Sequence, residues 1–137
     1  MSGTGKSTLL VGLAERGHRV VDTDYKGWIL ADGCWDAARM SDLLKQESRI
    51  VVAGTVDNQV DFYDRFDHIV LLSAPLEVIL ARVSSRDTNP YGRTAAEQTE
   101  IAYYIQTVEP LLRKTATLEL DGRASPSELV SAVEALI

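Results

Sequence analysis

The sequence predicts an α/β fold: a three-layer domain in which helices cover both faces of a parallel sheet. Two patterns carry that expectation. Short β-branched and aliphatic runs alternate with segments of helical periodicity, as where crossover helices join parallel strands. One run, His-Ile-Val-Leu-Leu-Ser at 68–73, is apolar without alternation, the mark of a strand buried on both faces. The 137 residues suffice for one domain, 1–137, and no repeat, low-complexity tract or Pro/Gly/Ser-rich linker divides them.

The elements follow in order. A helix runs from Lys6 to Arg16, with Leu9, Leu10 and Leu13 on one face and Gly17 placed to end it. A strand spans Arg19 to Asp22. Residues 25–48 form an insertion holding Trp28 and Trp35, with a helix from Asp36 that turns Met40, Leu43 and Leu44 inward. Strands follow at Arg49–Ala53 and His68–Ser73. Pro75 opens a helix, with Glu77 near the positive end of its dipole, that carries Val78, Ile79, Leu80 and Val83 to Arg86. Asp87 to Arg93 reads as a short lid loop around Asn-Pro-Tyr-Gly. Thr94 and Glu97 make a capping box for a helix containing Ile101, Tyr104, Ile105 and Val108. Pro110 either kinks that helix or opens a new turn. Thr117–Asp121 is the last strand, and Ser125-Pro126-Ser127-Glu128 starts the closing helix.

Composition removes several function classes. Lys and Arg number 14 against 20 Asp and Glu, a net charge of -6, which argues against broad nucleic-acid binding but not against a local anion site. No uncharged apolar run approaches the ~18 residues of a membrane span, so no membrane partner is expected. The single cysteine, Cys34, forbids an internal disulfide or a multi-cysteine zinc site. With no basic-then-apolar leader in the opening residues, a cytoplasmic setting is expected. Oligomeric state is not legible.

The most informative segment is the first. Ser2-Gly3-Thr4-Gly5-Lys6-Ser7-Thr8 is the second half of the phosphate-binding pattern G-x-x-x-x-G-K-[ST]. Its glycines let consecutive backbone N–H groups converge on phosphate oxygens, and the helix opening at Lys6 adds its dipole. Lys6 suits the β- and γ-phosphates of ATP, Ser7 suits Mg²⁺, and Thr8 suits the α-phosphate. The pattern's first glycine falls one position before Met1. The expectation is a natural start roughly seven to ten residues upstream, enough for the strand of ~5–6 residues that precedes such loops. The alternative is a true truncation, closed by rearrangement or by another chain.

Other residues collect at strand ends. Asp22 and Asp24 close a strand at its carboxyl end, where open α/β sheets bind ligands. There they suit a Mg²⁺-bound water or a substrate hydroxyl proton, or else they cap the following turn. Gly54, Thr55, Asn58 and Gln59 lie in the loop after the next strand and offer neutral donors and acceptors for a small polar substrate. Asp57 is too far past that strand to serve as its terminal metal acid. Arg82 and Arg86 supply planar, always-charged donors suited to a transferred phosphoryl group, and Arg93 is a weaker third. Trp28 and Trp35 either stack on a substrate ring or plug the insertion.

These motifs resemble the P-loop kinase family that includes adenylate, shikimate and dephospho-CoA kinases. Val21-Asp22-Thr23-Asp24 is similar to the Asp-x-Asp of shikimate and dephospho-CoA kinases, and Arg82-Val-Ser-Ser-Arg86 to the paired arginines entering adenylate kinase lids. Thr107-Val-Glu-Pro110-Leu-Leu, with Leu118-Glu-Leu-Asp121-Gly122 after it, resembles the adenylate kinase C-terminal pattern. The resemblance implies strand order 2-3-1-4-5, the first family strand being absent from this chain. It places Arg82 against adenine or phosphates and Arg86 on phosphates. The function expected is an ATP- and Mg²⁺-dependent phosphotransferase acting on a small-molecule substrate. Its catalytic set is Lys6, Asp22, Arg82 and Arg86, with Ser7 and Asp22 at the metal. The alternatives are an ATPase-like or regulatory nucleotide-binding protein without such an acceptor, and a fragment that binds nucleotide poorly.

Overall fold

The computed structural model describes residues 3–87 and 89–137. The helices are α1 (Lys6–Glu15), α2 (Ala37–Gln46), α3 (Leu76–Ser85), α4 (Ala95–Thr107), α5 (Glu109–Thr115) and α6 (Pro126–Glu134). The strands are β1 (Val20–Asp22), β2 (Val51–Ala53), β3 (Val70–Ser73) and β4 (Leu118–Asp121). All strand pairing is parallel, β1 with β2 and β3 with β4, in two separate two-stranded sheets. These are the 2-3 and 4-5 pairs of the expected order. Among the described residues no strand joins β2 to β3. No helix there is long and apolar enough to cross a membrane.

The chain divides into two compact units. The first joins the opening residues up to Lys6 with His68–Ser125. Its core is Ile79 and Val83 of α3 against Ile101 of α4, with Leu80, Tyr91 and Ile105 packed around them. The second joins Ser7–Asp67 with Pro126–Ile137. Its core gathers Val21, Trp28, Trp35, Met40, Leu43, Val56 and Phe62.

Local chemistry explains the boundaries. Gly17, at φ +88°, ends α1 in a Schellman motif: its N–H donates to Ala14 O and that of His18 to Leu13 O. Asp36 caps α2 by accepting from the Arg39 N–H at 3.1 Å. Thr94 and Glu97 form the reciprocal capping box of α4. Pro110 opens a new helix, α5, rather than kinking α4. The strands start later than expected at their amino ends. At 69 and 117, the Thr117 hydroxyl takes the Ile69 N–H at 2.9 Å, so a side chain replaces the backbone acceptor and regular pairing begins one residue on.

One expectation changes, and one open alternative is decided. The segment after β2 is not a loop throughout: Asp57–Arg65 is a 3₁₀ helix. Val56, Gln59 and Phe62 are all buried at intervals of three, the 3₁₀ repeat. The tryptophans plug the insertion rather than present a stacking face, being 7% and 6% exposed. Trp35 meets Phe62 edge-on with centroids 5.9 Å apart, and the Arg39 guanidinium covers Trp28 at 3.8 Å.

In the second unit α1 lies close against α6. A Cβ on Gly12 would stand 2.5 Å from Val130 Cγ2. At the helix ends Glu134 takes Arg16 Nη1 at 3.0 Å and pairs with His18 Nε2 at 2.7 Å. Gly12→Ala should therefore lose about 1–3 kcal/mol to overpacking, against a gain of about 0.5–1 kcal/mol in helix propensity. Urea denaturation should show net destabilisation that shrinks in a Val130→Ala background. An equal penalty in both backgrounds would mean the two helices are not in contact there.

Candidate functional site

The glycine-rich opening is held from one side. Gly3 and Gly5 have φ +75° and +105°, a left-handed region that favours glycine. A Cβ on Gly3 would lie 2.9 Å from both Ile79 Cγ2 and Val83 Cγ1, so the segment sits directly on α3. Thr4 is fully buried. Arg82 Nη1 donates to the carbonyls of Gly3 and Thr4, each at 3.3 Å, and Nη2 donates to Gly122 O at 2.7 Å. In a trans peptide C=O and N–H point opposite ways. With those two carbonyls turned to Arg82, the N–H groups of Thr4 and Gly5 are directed away from it. The chain enters α1 at Lys6, adding a helix N-terminus. Ser2 lies outside the described residues.

Gly122, just past β4, belongs to this support. Its N–H donates to Ser73 O at 2.7 Å, and a Cβ there would stand 2.6 Å from Thr4 O. Sequence reading gave Gly122 no role in the site. The signals were its place after Asp121 at a strand's carboxyl end and in the Leu118–Gly122 pattern. Asp121 itself is held down to about 2 by hydrogen bonds from Arg123.

Arg86 serves the lid loop. Its Nε donates to Asn89 O at 2.9 Å and Nη2 to Tyr91 O at 2.8 Å, while Arg93 Nη2 reaches back to Arg86 O. Gly92 presses on Val83, where a Cβ would be 2.6 Å from Cγ2, and its N–H donates to Glu97 at 3.2 Å. The Tyr91 hydroxyl donates to Glu100. Burial, then that hydrogen bond, pushes its phenol well above the usual range. Both arginines thus meet backbone carbonyls, a use that residue type and spacing did not reveal.

In the second unit the acidic strand end and the start of α1 meet. Ser7 Oγ donates to Asp22 Oδ2 at 3.2 Å, and the other carboxylate oxygen accepts the Asp24 N–H at 3.1 Å. Asp22 therefore caps its turn and pairs with Ser7 at once. Thr23 is buried, and its Oγ1 donates to Ala53 O at 2.7 Å, tying the ends of β1 and β2. It stands where a Gly54 Cβ would be, 2.0 Å away, so glycine is required at 54. Asp24, Thr55 and Thr8 are exposed. Asn58 instead brackets the Trp35 backbone, accepting its N–H at 3.0 Å and donating to its carbonyl at 3.1 Å. Gln59 is buried; its Oε1 takes the Val56 N–H at 2.9 Å and its Nε2 donates to the Tyr63 hydroxyl. Both amides shape the segment carrying Thr55.

A hydroxyl and a carboxylate 3.2 Å apart are a hard-oxygen pair of the kind Mg²⁺ takes. Among the described residues no cluster of three or more His, Cys, Asp or Glu could cage a metal. Mg²⁺ is commonly held by one or two protein oxygens, with waters and substrate phosphates completing the shell.

Residues 1–103 match the family profile described as an AAA domain. No curated protein matches the chain in sequence. Solved structures do match in fold. Shikimate kinase from Acinetobacter baumannii in complex with shikimate aligns at TM-score 0.68 and 21% identity, covering 98% of this chain and 87% of that one. Shikimate kinase from Aquifex aeolicus aligns at 0.65 and 19%, covering 97% and 89%. A sugar kinase from Janibacter sp. aligns at 0.58 and 20%, covering 98% and 88%.

Two outcomes follow from this geometry. Arg82→Ala removes charge-assisted bonds to three carbonyls and should lower stability by about 1.5–3 kcal/mol in urea. Arg82→Lys, a point charge without the planar fork, should recover less than half of that. An Arg82→Ala protein as stable as wild type would show that the clamp does not form. The Asp121 contribution is present above its ordinary value of 3.8 and is lost as pH falls from there toward 2. Asp121→Asn should therefore flatten stability over that interval in acid titrations followed by circular dichroism. A slope equal to wild type would contradict the pair.

Proposed function

The chain belongs to the AAA-domain family, among the P-loop kinase-like NTPases, and on that premise we propose that it is a Mg²⁺- and ATP-dependent phosphotransferase acting on a small hydroxylated molecule. The observation that carries the reading is the 3.2 Å bond between Ser7, next to the loop lysine, and Asp22 at a strand's carboxyl end. Both are oxygens that suit Mg²⁺, and Ser7 directly follows the loop lysine in the sequence.

In this reading residues 2–8 bind the phosphates of ATP, with the Thr4 and Gly5 N–H groups and the α1 N-terminus as donors. Lys6 neutralises charge on the transferred group. Ser7 and Asp22 hold Mg²⁺, which when bound offsets phosphate charge. Arg82 keeps the loop carbonyls turned away from the anion, a positioning role, and Arg86 fixes the lid segment through Asn89 and Tyr91. Asp24 accepts a proton from the acceptor hydroxyl. Thr55 and the Gly54 backbone contact the acceptor, while Asn58 and Gln59 set that segment's shape. Shikimate, which a structural neighbour holds, is the first acceptor to test; a sugar and a nucleoside follow.

A second reading, a nucleotide-binding ATPase or regulatory protein without a small-molecule acceptor, draws on the Asn58 and Gln59 amides being engaged within the chain. ADP release from Mg·ATP, measured with shikimate, glucose and adenosine in turn, separates the two. Acceptor-dependent turnover supports the kinase, and an identical rate with none supports the second. Lys6→Ala should lower acceptor-dependent turnover by about 10²–10³-fold while the circular dichroism spectrum is unchanged. Wild-type turnover in that variant contradicts the assignment.

A further inference from the structure

In the second unit the acid that follows β1 depends on backbone alone for its place. The Asp24 carboxylate is exposed and has no partner among the described residues; only its N–H is used, donating to Asp22 Oδ1 at 3.1 Å. Where that carboxylate stands is therefore set by the turn that carries it. The turn closes with the Tyr25 N–H on Asp22 O at 3.3 Å. The chain then passes through two left-handed residues, Lys26 at φ +64° and Gly27 at φ +75°. Glycine takes that region freely, and lysine does not. Lys26 is the one non-glycine residue at positive φ among the described residues. Such a conformation persists only where the surroundings impose it.

Arg39, in the first turn of α2, imposes it. Its Nη1 donates to Lys26 O at 2.7 Å, and the same nitrogen lies 3.9 Å from where a Gly27 Cβ would stand. The guanidinium is itself fixed, 3.8 Å over the ring of Trp28, which is buried in the core of the unit. The backbone is fixed as well. Asp36 takes the Arg39 N–H at 3.1 Å and donates its own N–H to Trp28 O at 2.8 Å. One side chain thus ties the turn after β1 to α2 and to the core.

We infer that Arg39 is a positioning residue for the acceptor side: by holding the Lys26 carbonyl it keeps the 22–27 turn in the shape that presents Asp24 to the acceptor hydroxyl. The inference rests on the kinase reading above, in which Asp24 takes that proton. Arg39 acts through the turn and touches neither nucleotide nor acceptor. A displaced base loses reaction rate and leaves ATP binding alone, so the effect falls on kcat.

Arg39→Met keeps an apolar stem for Trp28 and removes the donor to Lys26. ADP release from Mg·ATP is measured with shikimate, glucose and adenosine in turn, and the probe that supports Lys6-dependent turnover is carried forward. Arg39→Met should lower kcat about tenfold, with the KM for ATP within about twofold. Lys26→Asn supplies a residue that tolerates the left-handed region. Alone it should leave kcat within about twofold of wild type, and in Arg39→Met it should restore most of the loss. In an Asp24→Asn background Arg39→Met should cost less than about twofold, because no base is left to place. An unchanged kcat in Arg39→Met overturns the inference. A loss that Lys26→Asn does not relieve, or one of equal size without Asp24, also overturns it, since Arg39 then meets the acceptor itself or supports the fold at large. If Arg39→Met does not fold alone, the double variant with Lys26→Asn decides: a kcat near wild type supports the clamp, and a tenfold deficit overturns it. Failure of the kinase reading is separately visible: no probe then gives turnover that depends on Lys6.

Discussion

The guanidinium of Arg82 is the constraint on which the phosphate-loop geometry depends. A glycine-rich turn has no intrinsic reason to face its N–H groups outward, because glycine visits left- and right-handed backbone about equally. Three carbonyls drawn to one planar cation remove that freedom. Peptide planarity then directs the paired N–H groups the other way. Contacts on the same segment reinforce the clamp: Gly3 against Ile79 and Val83, and Gly122 against Thr4 O. On the proposed reading an anion meets N–H groups already oriented, so binding does not have to order them.

The second unit solves a different problem, holding acids at a strand end without letting them drift. Asp22 is tied twice, by Ser7 and by the Asp24 N–H. Thr23 between the acids turns inward and bonds the neighbouring strand, which fixes the alternation that leaves Asp22 and Asp24 on the other side. Gly54 is what lets Thr23 fit. A strand of three residues has little pairing of its own, so this side-chain bond supplies order that a longer ladder would give.

Much of this was legible because local chemistry and tertiary structure agree. Thr94 with Glu97, Gly17, Asp36 and Pro110 punctuate helices by mechanisms confined to a few residues, and the chain uses them so. The 57–65 segment was misread because its Asp and Asn residues are turn formers, and its buried repeat of three includes Gln59, which hydropathy counts as polar. The arginines show a deeper limit. Their charge and spacing mark them as anion ligands, yet carbonyls satisfy the same donors, and only coordinates tell which are near. Asn58 and Gln59 were visible as neutral hydrogen-bonding groups, but Asn58 meets Trp35 only because the insertion folds back, and Gln59 meets Tyr63 only because 57–65 winds into a helix.

Whether the segment opening the chain presents a cradle of backbone N–H groups preset for polyphosphate is read from amide chemical shifts on titration with Mg·ATP. Large downfield shifts of the Thr4–Thr8 amide protons should saturate together with nucleotide binding, while amides of α6 hold their positions. Saturation with those five amides unmoved would contradict it.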